Sequence, residues 1–226
     1  GATELHALST QAVLLDVDGT LADSNDLHAA AWVEALHQEG YEARFEQVRP
    51  LIGMGGDKLI PQLTGVSADS QRGERLSERR TQLFMREYLP RVEAFSDARA
   101  LVAALKERGL ALCVATSAKE AEVKGLLQRG GLLDLLPLRT SADDAEHSKP
   151  HPDIVTAALG RLTCRPEDAV MIGDTPYDAQ AAAAANVTFV GLTCGGHARE
   201  ALRPALAVYR DPSELLAQLD DSPLTA

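Results

Sequence analysis

Short, wholly apolar runs alternate along this chain with segments whose apolar residues recur at helical spacing. Val13-Leu14-Leu15 has the length of a buried strand and is ended by Gly19-Thr20. Ala29, Trp32, Val33 and Leu36 then repeat as one face of a helix, which Asp23 or Ser24 is placed to cap and Gly40 to stop. From Phe45 to Leu89 the pattern stays helical, broken by Pro50, by Gly53-Met54-Gly55-Gly56 and by Pro61, with no convincing strand.

From Ala98 the character changes. Ala98, Leu101, Val102 and Leu105 form a helix face ended by Gly109, and Leu110 to Ala115 is a strand with no polar member. Strands that read this way are buried on both faces, as in parallel sheets sandwiched by helices. A helix around Val123, Leu126 and Leu127, a short strand near Leu138 and a helix opening after Pro152 follow. The strand Ala169 to Ile172, a helix from Pro176 to Ala185, the strand Val187 to Val190, the apolar run Ala205 to Tyr209 and a helix around Leu215 to Leu219 complete the chain. This predicts an α/β fold: a doubly wound, mostly parallel sheet with a helical block inserted directly after the first strand.

At 226 residues the chain can bury one full core and carry a smaller inserted unit. A net charge of −11 argues against nucleic acid or an anionic membrane as main partner, because either needs a clustered basic surface. It does not exclude small anionic substrates. Cys113, Cys164 and Cys194 are odd in number and widely spaced, which points to a reducing compartment rather than a disulfide framework or a zinc site. The first residues lack a basic segment followed by an apolar one, and no apolar stretch has the length of a membrane span. The expected location is therefore cytoplasmic. The oligomeric state is not set by these features, a monomer being favoured.

The candidate chemistry lies at the predicted strand ends. Asp16 and Asp18 point the same way in an extended chain, and two carboxylates about 4 Å apart at an effective dielectric near 20 repel by ~4 kcal/mol. Such a pair calls for a cation or a shared proton, although an Asp-Gly after a strand also forms ordinary turns. Thr116-Ser117, Lys149 and Asp174 with Asp178 fall on other loops of the same sheet edge. Taken singly, Thr116 is explained as a helix cap, Lys149 as a solvated lysine, and Asp174 and Asp178 as caps of the helix at Pro176. Together they describe a phosphate-and-metal site.

Asp16-Val17-Asp18-Gly19-Thr20-Leu21, the strand ending in Thr116, Lys149-Pro150-His151-Pro152 and Gly173-Asp174 with Asp178 resemble, in order, the four motifs of the haloacid dehalogenase superfamily. The resemblance extends to members with an α-helical cap, in the group of phosphoglycolate phosphatases and β-phosphoglucomutase. It implies a Rossmann-like core of residues 1–22 and 94–226 and a cap of residues 23–93, moving on linkers near Ala22 to Ser24 and Glu93 to Asp97. It implies hydrolysis of a small phosphorylated metabolite with Asp16 as nucleophile and Asp18 as acid and base, the latter needing a pKa raised by burial and neighbouring carboxylates. Mg²⁺ would be held by Asp16, the carbonyl of Asp18 and Asp174, with Asp178 orienting its water shell, while Thr116, Ser117 and Lys149 bind phosphate. Dehalogenating members lack the second acid, so Asp18 favours phosphoryl chemistry.

Asp23, His28 and Trp32 match a pattern seen in the mutases and some phosphatases. A mutase needs a cap arginine where this chain has Gly55-Gly56, so that alternative is the weaker one. Lys58, Arg79 and Arg80 are the candidates for contact with the far end of a substrate. A non-enzymatic phosphoacceptor like a receiver domain is a reading from another class, and it lacks both the Asp-x-Asp-Gly-Thr run and the inserted block.

Overall fold

A computed structural model describes residues 10–225, so the expectation about the first residues lies outside the described part. β1 (Ala12–Leu15) leads into a two-residue β2 (Ala22–Asp23). The helical block then runs through α1 (Asn25–Gln38), α2 (Phe45–Val48), α3 (Gly56–Thr64) and α4 (Gln71–Leu83), which continues as a π-helical turn over Phe84–Tyr88. After β3 (Glu93–Ala94) come α5 (Ala98–Glu107), β4 (Ala111–Ala115), α6 (Glu120–Arg129), β5 (Arg139–Thr140) and α7 (Asp153–Leu162). β6 (Ala169–Gly173), α8 (Pro176–Ala184), β7 (Thr188–Leu192), β8 (Ala207–Tyr209) and α9 (Pro212–Ala217) finish the order.

Six strands form one sheet in the order β5-β4-β1-β6-β7-β8, every neighbouring pair parallel. β1 lies centrally with Leu15 level with Val114 on one side and Ile172 on the other, and all four of its residues are buried. Alternation sorts the side chains: Val13, Leu15, Val114 and Ile172 pack with α5, α6 and α9, while Leu14, Cys113 and Met171 pack with α7 and α8. Chain order reverses direction at β1, so the crevice outside the carboxyl ends of β1, β4 and β6 is where such a sheet places a ligand.

The helical block has its own apolar cluster, with Trp32, Leu36, Val48, Leu59, Ile60 and Leu76 among its members. Its entry and exit run side by side as an antiparallel ribbon, Ala22 opposite Ala94 and Asp23 opposite Glu93. Three local expectations change. Ser24 stands at the start of α1 without capping it, because its hydroxyl is turned to Asp18. Asp23 does not cap it either and is exposed on the ribbon. Pro61 does not break a helix: α3 continues past it to Thr64, held by the burial of Leu59 and Ile60, and ends at Gly65 with φ 76°. Gly40, φ 86°, does stop α1, with the Tyr41 N–H returning to the Leu36 carbonyl at 2.9 Å.

Candidate active site

Past Leu15 the chain leaves the sheet in a tight turn: the N–H groups of Thr20, Leu21 and Ala22 all reach the Val17 carbonyl, and Asp16 N–H stays on Ile172 at 3.0 Å. Gly19 takes φ +77°, and a Cβ there would lie 2.1 Å from Asp174 Oδ2. Only glycine meets both demands. Gly195, on the loop after β7, is held to the same side chain as closely, at 1.9 Å for a built Cβ. The backbone wraps Asp174 from two loops.

Asp16, Asp174 and Asp178 offer carboxylate oxygens that all lie within 4.8 Å of one another, and all three residues are buried. Lys149, 1 % exposed, reaches into this group with Nζ at 3.1 Å from Asp16 Oδ1, 2.7 Å from Asp178 Oδ1 and 2.8 Å from the Ala115 carbonyl. Burial alone would lower the lysine's pKa, but the two carboxylates more than reverse it and hold the ammonium charged. Asp16 is pushed up to about 6, first by burial and then by Asp178. Asp174 is raised well above the ordinary carboxylate range by burial and by the charges of Asp16 and Asp178. One lysine against three acids leaves an excess of negative charge.

Asp178 serves the fold and the site together. Its Oδ2 accepts the N–H groups of Asp174 (3.1 Å) and Thr175 (3.0 Å), closing a capping box with Thr175 at the start of α8. Its other oxygen pairs with Lys149. Thr116 is buried at the end of β4, and its hydroxyl accepts the Ala118 N–H at 3.1 Å rather than capping α6, which begins at Glu120. Ser117 Oγ accepts the Lys149 N–H at 3.2 Å and ties the two loops.

Asp18 departs from expectation in two ways. Its carboxylate is absent from the three-acid group and turns toward α1, where Oδ1 accepts from Ser24 Oγ at 2.5 Å and lies 2.7 Å from His28 Nε2. Burial pushes its pKa up, yet His28, Ser24 and Arg80 together outweigh burial and leave it below the ordinary value. The expected raised pKa is therefore not found in the side chain's own surroundings, because its nearest partners are donors and not carboxylates.

A cavity of about 660 Å³ opens above Asp16, Asp18 and Thr116, with Trp32, Ile52 and Arg80 of the helical block on its wall. Of the three candidate cations, only Arg80 lines it. Arg79 is spent on Glu39 at 2.7 Å and Gln38 at 2.8 Å, and neither it nor Lys58 faces the cavity. Gly55 has a packing reason: its N–H donates to Ser148 Oγ at 3.0 Å, and a Cβ there would sit 2.9 Å from the Ser148 Cβ. Asp57 Oδ2 accepts the Ser148 N–H at 3.1 Å, so the block docks on the loop that carries Lys149.

Sequence reasoning missed Asn25, Ser24 and Glu122. Asn25 Nδ2 donates to Asp174 Oδ2 at 2.9 Å and to the Gly195 carbonyl at 3.0 Å. Thr20, part of the first motif but given no role of its own there, donates to Asp174 Oδ1 at 3.1 Å. An Asn or Ser at the start of a helix looks like a cap, and nothing in the local pattern distinguishes one that reaches across to another loop.

The comparisons with known proteins agree with this geometry. The family described as haloacid dehalogenase-like hydrolase matches residues 13–192. A Dickeya dadantii protein described as "Probable phosphatase IndB" is 31% identical over 197 residues, covering 85% of each chain. A phosphoglycolate phosphatase of Nitrosospira multiformis is 32% identical over 183 residues, covering 79% of this chain and 81% of that one. The crystal structure of a hydrolase from Pseudomonas syringae superposes with a TM-score of 0.87 at 31% identity, over 94% of this chain and 99% of that one. The chain belongs to the haloacid dehalogenase-like hydrolase family.

Proposed function

We propose that this enzyme is a phosphoric monoester hydrolase that uses Mg²⁺ to cleave a small phosphorylated metabolite through an aspartyl-phosphate on Asp16. The observation that carries the reading is the buried set of Asp16, Asp174 and Asp178 around Lys149 at the switch point of the sheet. The relatives named as phosphatases support it.

The residues fit a hard divalent cation. Every donor in the group is a carboxylate oxygen, and the pKa values of Asp16 and Asp174 are raised first by burial and then by neighbouring carboxylates, a cost to the charged forms that a cation offsets. Asp16 and Asp174 would hold Mg²⁺ beside Asp178, with the main-chain carbonyl of Asp18 completing the protein's share. When bound, the ion compensates the charge of the phosphoryl oxygens.

Asp16 attacks phosphorus as a carboxylate; the new Asp–O–P bond forms as the ester P–O bond breaks. Lys149 steadies the Asp16 carboxylate, and Thr116 and Ser117 stand on the adjoining loop to hold the phosphoryl oxygens. The departing alkoxide takes a proton from Asp18. Free Asp18 is poised as a base, and an incoming phosphoryl dianion is the like charge that lifts its pKa again. In the second half Asp18 removes a proton from water, which attacks phosphorus and returns Asp16 to its carboxylate form.

The block of residues 23–93 acts as a cap whose Trp32, Ile52 and Arg80 close over the leaving group, swinging on the ribbon of β2 and β3. Among the described residues no helix is long and apolar enough to cross a membrane. Three free cysteines support a reducing, cytoplasmic setting. Phosphate release from p-nitrophenyl phosphate, with Mg²⁺ and with a chelator, tests the reading. Expected are turnover that needs the ion and a phosphate label trapped on Asp16; no release from any ester with Mg²⁺ would overturn it.

A further inference from the structure

We infer that the cap presents a largely charge-compensated donor, Arg80 paired with Glu122, which selects esters whose organic part is uncharged and hydroxyl-bearing over esters carrying a second anion. This rests on the phosphatase reading above and adds the substrate class to it.

Arg80 is 7 % exposed, and its guanidinium joins the two parts of the molecule: Nη2 lies 2.6 Å from Oε1 of Glu122, which is 1 % exposed on α6. The guanidinium lies over the rings of Trp32, at 5.2 Å, and Phe84, at 5.9 Å. Phe84 in turn stacks on His28 at 4.1 Å, and His28 touches Asp18. Arg80 is thus held rigidly beside the group that protonates the leaving oxygen. Its Nε–H is buried without a partner among the described residues. A buried donor left unpaired is costly, and this one belongs to a residue on the cavity wall. An oxygen of the leaving group, next to the ester that Asp18 protonates, is the partner that this position supplies.

Electrostatics decide what kind of oxygen. Glu122 offsets much of the charge of Arg80, part of which already answers Asp18, so the pair offers a hydrogen bond with little attraction left for a second anion. Beyond Asp16 and Asp18 the wall carries Asp57, Glu74, Glu78, Glu122 and Glu146 against Arg80 and Lys119. Lys119 is exposed and turned to Ser77 Oγ at 3.3 Å. A carboxylate or second phosphate in this cavity meets an acidic wall and an arginine whose charge is largely offset. A hydroxyl accepts from Nε–H at no such cost, while Trp32 and Ile52 give the C–H face of a short polyol an apolar surface.

The test compares kcat/KM for glycerol phosphate and erythritol phosphate with that for phosphoglycolate, with p-nitrophenyl phosphate as reference, in the wild type and in Glu122→Gln and Arg80→Gln. The wild type is expected to favour the polyol esters over phosphoglycolate by about tenfold or more. Glu122→Gln, which frees the charge of Arg80, is expected to shrink that ratio several-fold, and Arg80→Gln to lower kcat/KM for the polyol esters more than for p-nitrophenyl phosphate. Turnover of p-nitrophenyl phosphate with phosphoglycolate equal to or better than the polyol esters would overturn the inference and leave the phosphatase reading standing. Ratios unmoved in both variants would remove Arg80 and Glu122 from selection, and silence toward every ester would overturn the phosphatase reading itself. The wild-type ratio decides the substrate class even if a variant fails to fold.

Discussion

The carboxyl edge of the sheet and the wall of the helical block line one cavity by opposite means. At the sheet edge, charged side chains are nearly inaccessible and each answers several others: Lys149 touches Asp16, Asp178 and a main-chain carbonyl, and Asp174 is held by Thr20 and Asn25. The block faces the same space with Trp32, Ile52, Leu59 and Ile60 and, beside them, with Asp57, Glu74 and Glu78, and its one buried cation is matched by an acid from the core. The carboxylates of the edge are costly to ionise: Asp16 and Asp174 have pKa values raised first by burial and then by the neighbouring acids. On the proposed function, the chemistry belongs to the sheet edge and the choice of ester to the block.

The hardest test of that division is Asp16→Asn. It is expected to cut kcat by a thousandfold or more, about 4 kcal/mol in the barrier, because the amide keeps the shape and loses the nucleophile. The same change removes one of three crowded charges, so the metal-free protein should melt higher, not lower, in calorimetry. A variant that loses activity by losing stability would refute the claim that these carboxylates are costly to ionise.

Acidity offers the next test. Asp16 has its pKa raised to about 6, so in the metal-free protein the contribution to stability is present below the ordinary value of 3.8 and lost as pH rises through about 6. Protons therefore compete with the cation, and apparent Mg²⁺ affinity by titration calorimetry should weaken roughly tenfold between pH 7 and pH 5. Affinity independent of pH over that range would contradict the raised value.

Asn25 sits where block meets edge. Asn25→Ala removes a donor from Asp174 and from the Gly195 carbonyl at once. A loss of roughly 1–3 kcal/mol in stability is expected, with a weaker apparent affinity for Mg²⁺ and kcat reduced less than by Asp16→Asn. Arg79→Ala should do least. Its partners Glu39 and Gln38 lie on the outside of the block, so kcat/KM should stay within about twofold and stability within about 1 kcal/mol.

How legible the molecule is from its residues differs between the same two regions. The strands that carry the site were readable because parallel strands buried on both faces must be continuously apolar, as Leu112 to Ala115 and Val170 to Ile172 are. Asp16, Thr116, Lys149 and Asp174 were readable because each follows directly on such a strand or in a distinctive loop. In the block, the helices could be read, but which of Lys58, Arg79 and Arg80 faces the cavity could not. Neighbouring residues of one helix diverge by about 100°, and only the seating of α4 against α1 turns Arg80 inward to Glu122 and Arg79 outward to Glu39. Pro61 inside α3 and the diversion of Ser24 to Asp18 are of the same kind.

Residue order alone determined the parallel sheet, the point at which the helical block enters it, and the set of groups at its carboxyl edge. These follow from periodicity and from chemistry that is local to each loop. The tertiary structure alone decided the protonation balance: that Asp18 answers to His28 and Ser24 while Asp16 and Asp174 crowd each other. A charge interacts with whatever lies a few ångströms away, and here those neighbours come from segments as far apart in the chain as Thr20, Lys149 and Asp178.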